Sequence, residues 1–181
     1  MKAIESPQVG TAASNASVLR TELLRLLHEL IEIDAIFSEV VPIIYSRLPR
    51  GERWEVSEEL EAFNGRIDHS IEKMETGVIA RAWKDRDEMP GMVQSIRRAG
   101  RAARELAEKL EAQEFAGFEN FISALWMLAR GHKAVAAKGN HYVAVLMDDS
   151  ETGWQPRQPH GEAGPVTLDA QAIAGLLATY G

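Results

Sequence analysis

The chain of 181 residues contains no cysteine. Without thiols it forms no disulfide, no thiolate zinc or iron–sulfur site and no cysteine nucleophile, so four classes of chemistry are excluded together. The sequence also lacks any run of about 18 uncharged apolar residues, which a membrane-spanning helix needs. Residues 1–16 have no continuous apolar core of the kind that a signal peptide carries. We therefore interpret the protein as cytoplasmic and expect no membrane partner.

Catalytic and cofactor motifs are missing as well. There is neither a Gly-x-Ser-x-Gly nucleophile elbow nor a glycine-rich phosphate loop. No histidine is preceded three positions earlier by glutamate, so the Glu-x-x-His motif of di-iron bundles does not occur. The sequence predicts no cofactor and favours a protein that is not an enzyme.

The overall charge argues against two kinds of partner. A net charge of −7 with a pI near 5.3 disfavours general attraction to nucleic acid or anionic lipid. The composition, 45% hydrophobic and 26% charged, is that of an ordinary globular protein, and the length fits one domain. The excess of alanine and arginine suggests a bacterial protein from a GC-rich genome.

The strongest positive signal is an apolar repeat in the first quarter of the chain. Its members are separated alternately by four and three residues, as in a helix packed along its length against other helices. A second row of apolar residues widens the buried stripe, so this helix should be wrapped by neighbours. The first row is Leu23, Leu27, Leu30, Asp34, Phe37, Val41, Ile44 and Leu48, and the second is Leu19, Leu26, Ile33 and Val40.

These patterns predict an all-α protein, an antiparallel bundle of about four main helices. Residues 1–16 are expected to be a flexible tail, 17–138 the bundle, and 139–181 an extension with a loop and a short terminal helix. The helices are expected from near Ser17 to Leu48, from Val56 to Lys84, from Pro90 to about Leu110, and from Phe115 to Arg130. Residues 131–147 fit either a helix or a strand, 148–165 should be loop, and helical spacing returns over 167–179.

Three details of this assignment are open to test. Proline inside a helix removes a hydrogen bond, so Pro42 predicts a kink or break near Val41. The apolar phase continues unchanged across Asn64 and Gly65, which predicts one continuous second helix. Alanines and Gly100 in the third helix predict close packing against a neighbour.

Asp34 is the one acidic member of the apolar seam. A carboxylate buried alone would be costly, so Asp34 requires a partner. We expect it at the edge of the seam, either solvated or paired with an arginine from another helix. A role in specificity, metal binding or proton handling is the alternative.

Metal binding has only weak candidates. His28 and Glu32 lie four residues apart on one helical face and, together with Asp34, could bind a metal inside a bundle. The run from Asp148 to Gly153 imitates the start of an EF-hand loop, but Pro159 occupies the position of the closing glutamate. We interpret that run as an acidic turn.

The most unusual charge pattern lies in the third helix. Its first half carries four arginines and its second half four glutamates, the reverse of what the helix dipole favours. Pairing outside the helix must therefore account for it. We expect an intramolecular network with Glu29, Glu32 or Asp34; an acidic partner or identical subunit, and nucleic acid, are the alternatives. The residues are Arg97, Arg98, Arg101 and Arg104, followed by Glu105, Glu108, Glu111 and Glu114.

An antiparallel hairpin of the second and third helices would bring further basic residues to both ends of this pattern. Arg81, Lys84 and Arg86 would join the arginines, and Arg47, Arg50 and Arg53 would meet the glutamates.

The function expected from the sequence is that of a non-catalytic interaction or assembly protein: an adaptor, a regulator or a chaperone. Arg97, Arg98, Arg101 and Arg104 are the candidate partner-binding residues, and the partner is another protein or an identical subunit in a homodimer. A metal- or ligand-binding bundle is the first alternative. A regulatory nucleic-acid binder using the same arginines is the second.

Overall fold

The computed structural model describes residues 8–79, 89–148 and 166–181. Within these ranges the chain forms helices and no strand, so the all-α prediction is confirmed. No helix among them is long and apolar enough to cross a membrane. The helices are α1 (Gln8–Arg47), α2 (Arg53–Ile79), α3 (Met89–Gln113), α4 (Glu119–Asp148) and α5 (Ala170–Ala178).

The four long helices form an antiparallel bundle in which α1 and α3 each pack against both α2 and α4. For two of these helix pairs, contacts at two levels show in which direction the helices run relative to each other. Lys109 lies 4.0 Å from Glu59, whereas Met92 at the other end of α3 packs on Gly77. Between α1 and α4, Lys138 Nζ lies 3.0 Å from Glu22 Oε2, and His132 meets Asp34 farther along. Neighbouring helices therefore run in opposite directions.

The predicted seam of α1 forms the centre of the core. Every member of the first row is buried, Asp34 included, and so are Leu26, Ile33 and Val40 of the second row. Leu19, where the second row begins, is partly buried. Neighbours on both sides, α2 and α4, account for the width of the stripe.

An aromatic cluster connects three of the long helices with the C-terminal segment. Phe37 of α1 packs edge-on against Phe63 of α2, with ring centroids 5.8 Å apart. The ring centroid of Phe121 of α4 lies 6.1 Å from that of Phe37 and 6.2 Å from that of Tyr180. This cluster explains why the start of α4 is apolar on most of its surface.

Two expectations for α1 are corrected. The helix begins at Gln8, ahead of the expected start near Ser17, and it continues through Pro42 to Arg47 without a break. Pro42 is exposed. A proline on the outer face leaves the unpaired carbonyl on the side of the helix that water reaches, which lowers the cost of keeping it in the helix.

α2 is continuous across Asn64 and Gly65, as predicted. Gly65 is exposed on the outer side, where a Cβ would meet nothing within 4 Å. The expected end of this helix at Lys84 lies outside the described residues.

The end of the bundle differs from the predicted boundary. α4 begins at Glu119 instead of Phe115 and continues beyond Arg130 to Asp148, so the segment that fitted either helix or strand is helical. The bundle consequently extends past residue 138. Two residues in the left-handed region reverse the chain before α4, Glu114 with φ of 53° and Gly117 with φ of 91°.

α5 packs against α1 and α4. Asp169 caps it by accepting a hydrogen bond from Ala172 N at 3.2 Å. The Tyr180 hydroxyl then accepts from the backbone N–H of Phe121 at 2.9 Å and donates to the Gly117 carbonyl at 3.2 Å. A side chain from the terminal segment thus supplies a partner for one of the free N–H groups at the start of α4.

Replacing Phe121 by alanine tests this core. Phe121 has no exposed surface and contacts both Phe37 and Tyr180, so Phe121→Ala should lower the free energy of unfolding by roughly 3–5 kcal/mol. Val18 is 62% exposed, and the control Val18→Ala should change it by less than about 0.5 kcal/mol. Chemical denaturation measures both. A loss below about 1 kcal/mol for Phe121→Ala would contradict the central position of α4.

Candidate functional site

The bundle core contains a buried pair of ionisable side chains, Asp34 of α1 and His132 of α4. Neither has any exposed surface. His132 Nε2 lies 3.1 Å from Asp34 Oδ2. The buried stripe of α4 passes through Leu125 and Leu128 to His132, one turn at a time, and this spacing directs the imidazole at the seam of α1.

The other ring nitrogen determines how protons are arranged. Nδ1 lies 3.0 Å from the carbonyl oxygen of Leu128. A carbonyl only accepts, so Nδ1 carries a hydrogen and donates it. One further proton is then shared between Nε2 and Asp34 Oδ2. Whichever atom holds that proton, the pair has no net charge, which makes its burial tolerable.

The pKa values of both groups are raised, and the causes differ. Burial raises the pKa of Asp34, and this outweighs the opposing effect of His132. Burial alone would lower the pKa of His132, but the charge of Asp34, its hydrogen bond and the bond to Leu128 together raise that pKa. Both directions describe one property: the pair retains its shared proton, because losing it would leave an isolated carboxylate in the core.

Gly100 allows the backbone of α3 to come close to the backbone of α4 beside His132. A Cβ built on Gly100 would lie 2.7 Å from His132 Cβ. At Gly139 a Cβ would lie 2.7 Å from Val93 Cγ2, so glycine occurs once on each side of the α3–α4 contact. The predicted close packing of α3 is confirmed, and it holds the backbone beside His132.

Gly100→Ala should therefore destabilise the protein. The clash involves a Cβ atom fixed to the backbone of α4, so it cannot be relieved by a rotamer change, and we expect a loss of about 1–3 kcal/mol of unfolding free energy. Gly65→Ala is the matched control in an open helical position and should stabilise by about 0.5–1 kcal/mol. Urea denaturation of the two variants should give opposite signs. A stabilised Gly100→Ala protein would contradict the close approach.

The shared proton also predicts a pH dependence. His132 in the unfolded chain loses its proton near pH 6.5, whereas the folded pair keeps it because its pKa is raised. The stabilising contribution is therefore complete below about pH 6.5 and is lost as the pH rises through the folded pKa. Above pH 6.5 the unfolding free energy should fall by up to about 1.4 kcal/mol per pH unit.

The comparison is with the double variant Asp34→Asn, His132→Gln, which keeps polar side chains but has no titrating pair. Subtracting its pH profile removes the contributions of all other groups. Equal slopes from pH 6.5 to 8.5 in the two proteins would contradict proton retention. NMR titration of the His132 ring in the wild-type protein gives the same information without a variant.

Asp34 thus differs from expectation in position and partner. It lies at the centre of the core, not at the edge of the seam, and its partner is histidine, not arginine. His28 and Glu32 are exposed on α1, so the structure does not bring the three metal candidates together. Among the described residues no group of three histidine, aspartate or glutamate side chains could hold a metal ion. Residues 149–153 of the EF-hand-like run lie outside the described residues.

The four arginines of α3 lie on its outer surface. Arg97, Arg98, Arg101 and Arg104 are all exposed, and we call them the arginine face. Arg104 Nε approaches Glu108 at 3.6 Å, one turn away in the same helix, and both side chains are more than half exposed. In the part of the chain that the structure describes, the other three arginines have no carboxylate within 4.0 Å.

The expected intramolecular network is therefore wrong for the acids that were named. Glu29 pairs with Arg25 at 2.7 Å, and Asp34 is occupied by His132. Glu32 is exposed on α1, and among the described residues no ion pair joins it to α3.

Among the described residues, the glutamate end of the charge pattern does not find the basic partners expected for it. Arg53 Nη2 and Nε donate to the carbonyls of Ser46 and Leu48 at 2.9 and 3.0 Å, not to glutamates of α3. Glu111 accepts from Trp126 Nε1 at 2.8 Å. The proposed contribution of Arg81, Lys84 and Arg86 lies outside the described residues.

No family model, curated protein or solved structure matches this chain.

Proposed function

We propose that this protein is a non-catalytic interaction or assembly protein, an adaptor, regulator or chaperone, that binds an acidic surface through its arginine face. The observation that carries the proposal is the exposure of Arg97, Arg98 and Arg101 on one helix without a carboxylate partner among the described residues. The proposal includes a cytoplasmic location and a bacterial source, both suggested by composition.

The electrostatic cost of clustering four arginines on α3 supports a role in binding a partner. Four arginines close together on one helix repel one another. Among the described residues, the arginine face makes one ion pair, between Arg104 and Glu108, and an exposed pair of this kind contributes about 0.3–0.5 kcal/mol. Stability of the monomer therefore gives little reason for the cluster, whereas guanidinium groups bind carboxylates well by paired hydrogen bonds.

A second copy of the chain is one possible partner, and the predicted homodimer remains a proposal. In an antiparallel pair of α3 helices, Arg97 would approach Glu111 or Glu114. Arg101 would approach Glu108 or Glu111, and Arg104 would approach Glu105 or Glu108. The small residues of α3, Ala99 and Gly100 among them, are buried inside the monomer. Only the charged face of α3 is left for self-association, so we expect such a dimer to be weak and sensitive to salt.

Charge reversal tests the proposal. The variant Arg97→Glu, Arg98→Glu, Arg101→Glu should lose at least about tenfold in affinity for a fluorescent peptide of about 20 residues rich in glutamate, because three guanidinium contacts become repulsive. Fluorescence anisotropy at low and at physiological salt measures the affinity. Sedimentation of the same variants reports self-association.

The control variant carries the same change in net charge at dispersed, exposed positions: Arg20→Glu, Arg50→Glu, Arg130→Glu. It should keep most of the affinity. Equal losses in both variants would show that net charge alone is responsible and would contradict a specific arginine face. Tighter binding of a single-stranded oligonucleotide than of the peptide would favour the nucleic-acid alternative instead.

A further inference from the structure

The Asp34–His132 pair belongs to a level of the bundle to which all four long helices contribute. On α1 and α2, Ser38 Oγ donates to Asp68 Oδ1 at 3.0 Å, and this contact fixes their register. Asp34 is one turn before Ser38, so in the antiparallel partner the facing position is just beyond Asp68. The buried residue there is Ser70.

The contacts between α2 and α3 independently place Ser70 at the same level. Gly77 packs on Met92 and Glu59 approaches Lys109, and interpolation between these contacts sets Ser70 beside Ala99 of α3. The next residue, Gly100, touches His132 of α4. Asp34, Ser70, Gly100 and His132 therefore lie at one level of the bundle, which we call the polar layer. The other buried polar residues of the described chain, Ser95 and Lys138, lie at other levels.

Two buried oxygen atoms in this polar layer have no protein partner. Asp34 uses Oδ2 for His132, while its Oδ1 has no hydrogen bond. Ser70 has no exposed surface, and its Oγ is likewise unpaired. In α3 the buried Ser95 behaves differently, since its hydroxyl donates to the Gly91 carbonyl one turn earlier at 3.0 Å. Ser70 makes no such hydrogen bond within its own helix.

We propose that the polar layer is a binding site for one internal water molecule, which joins Asp34 Oδ1 to Ser70 Oγ. The water donates to the carboxylate oxygen and accepts from the serine hydroxyl, so both unpaired atoms gain a hydrogen bond with the correct polarity. Internal waters occupy positions with two to four polar partners, and these two oxygens satisfy the minimum. An uncharged ligand is required because Asp34 and His132 already balance each other, and an added ion would leave net charge in the core.

The variant Ser70→Ala tests the proposal, because the sign of its stability change depends on whether the hydroxyl has a partner. If the hydroxyl is simply buried without a partner, its removal relieves a desolvation cost and stabilises the protein. If it holds a water molecule bound to Asp34, its removal leaves that water with one protein partner and should lower the folding equilibrium constant by about fivefold. Ser95→Ala is the control, since it also replaces a buried helical serine by alanine but cannot affect the layer.

Magnetic relaxation dispersion of the water oxygen nucleus supplies the direct measurement, because it counts water molecules that reside long inside a protein. We expect the wild-type protein and Ser95→Ala to hold one more such molecule than Ser70→Val, whose larger apolar side chain fills the space next to Asp34. Support requires both results, a destabilised Ser70→Ala and a reduced count in Ser70→Val. A Ser70→Ala protein at least as stable as wild type, or an unchanged count, overturns the proposal.

Discussion

The contact between Asp34 and His132 is the constraint on which the arrangement of the bundle depends. Apolar side chains pack in several registers with similar free energies, whereas a buried carboxylate tolerates very few environments. Sliding α1 by one heptad past α4 would separate the two side chains by about 10 Å and leave a bare charge in the core. The apolar seam provides most of the driving force for folding, and the polar pair selects one alignment.

Much of the architecture was readable from spacing alone. The seam of α1, the continuous α2 and the small residues of α3 were predicted because each depends on local periodicity. The start of α1 at Gln8 was not predicted, because residues 8–16 show no apolar spacing. The passage of α1 through Pro42 was not predicted either, because the exposed position of Pro42 is not visible in the local sequence. The extension of α4 past residue 138 was missed because valine-rich sequence fits a buried helix and a strand equally well.

The candidate site shows the same division. The need of Asp34 for a partner followed from electrostatics, but the identity of the partner did not, because His132 lies 98 residues away in the sequence. One signal was available: His132 continues the apolar spacing of Leu125 and Leu128. The exposure of the arginine face could be predicted from helical periodicity. Its lack of carboxylate partners could not, because that depends on which helices are neighbours.

The long sequence separation of Asp34 and His132 has a kinetic consequence. Contacts between α2 and α3 and between α3 and α4 close short loops, whereas the α1–α4 contact closes nearly the whole bundle and carries a larger entropic cost. Until that contact forms, His132 is solvated and Asp34 has no counter-charge. Closure of the α1–α4 contact therefore brings the two groups together as it excludes water, so that dehydration of the core and neutralisation of the pair occur in a single step.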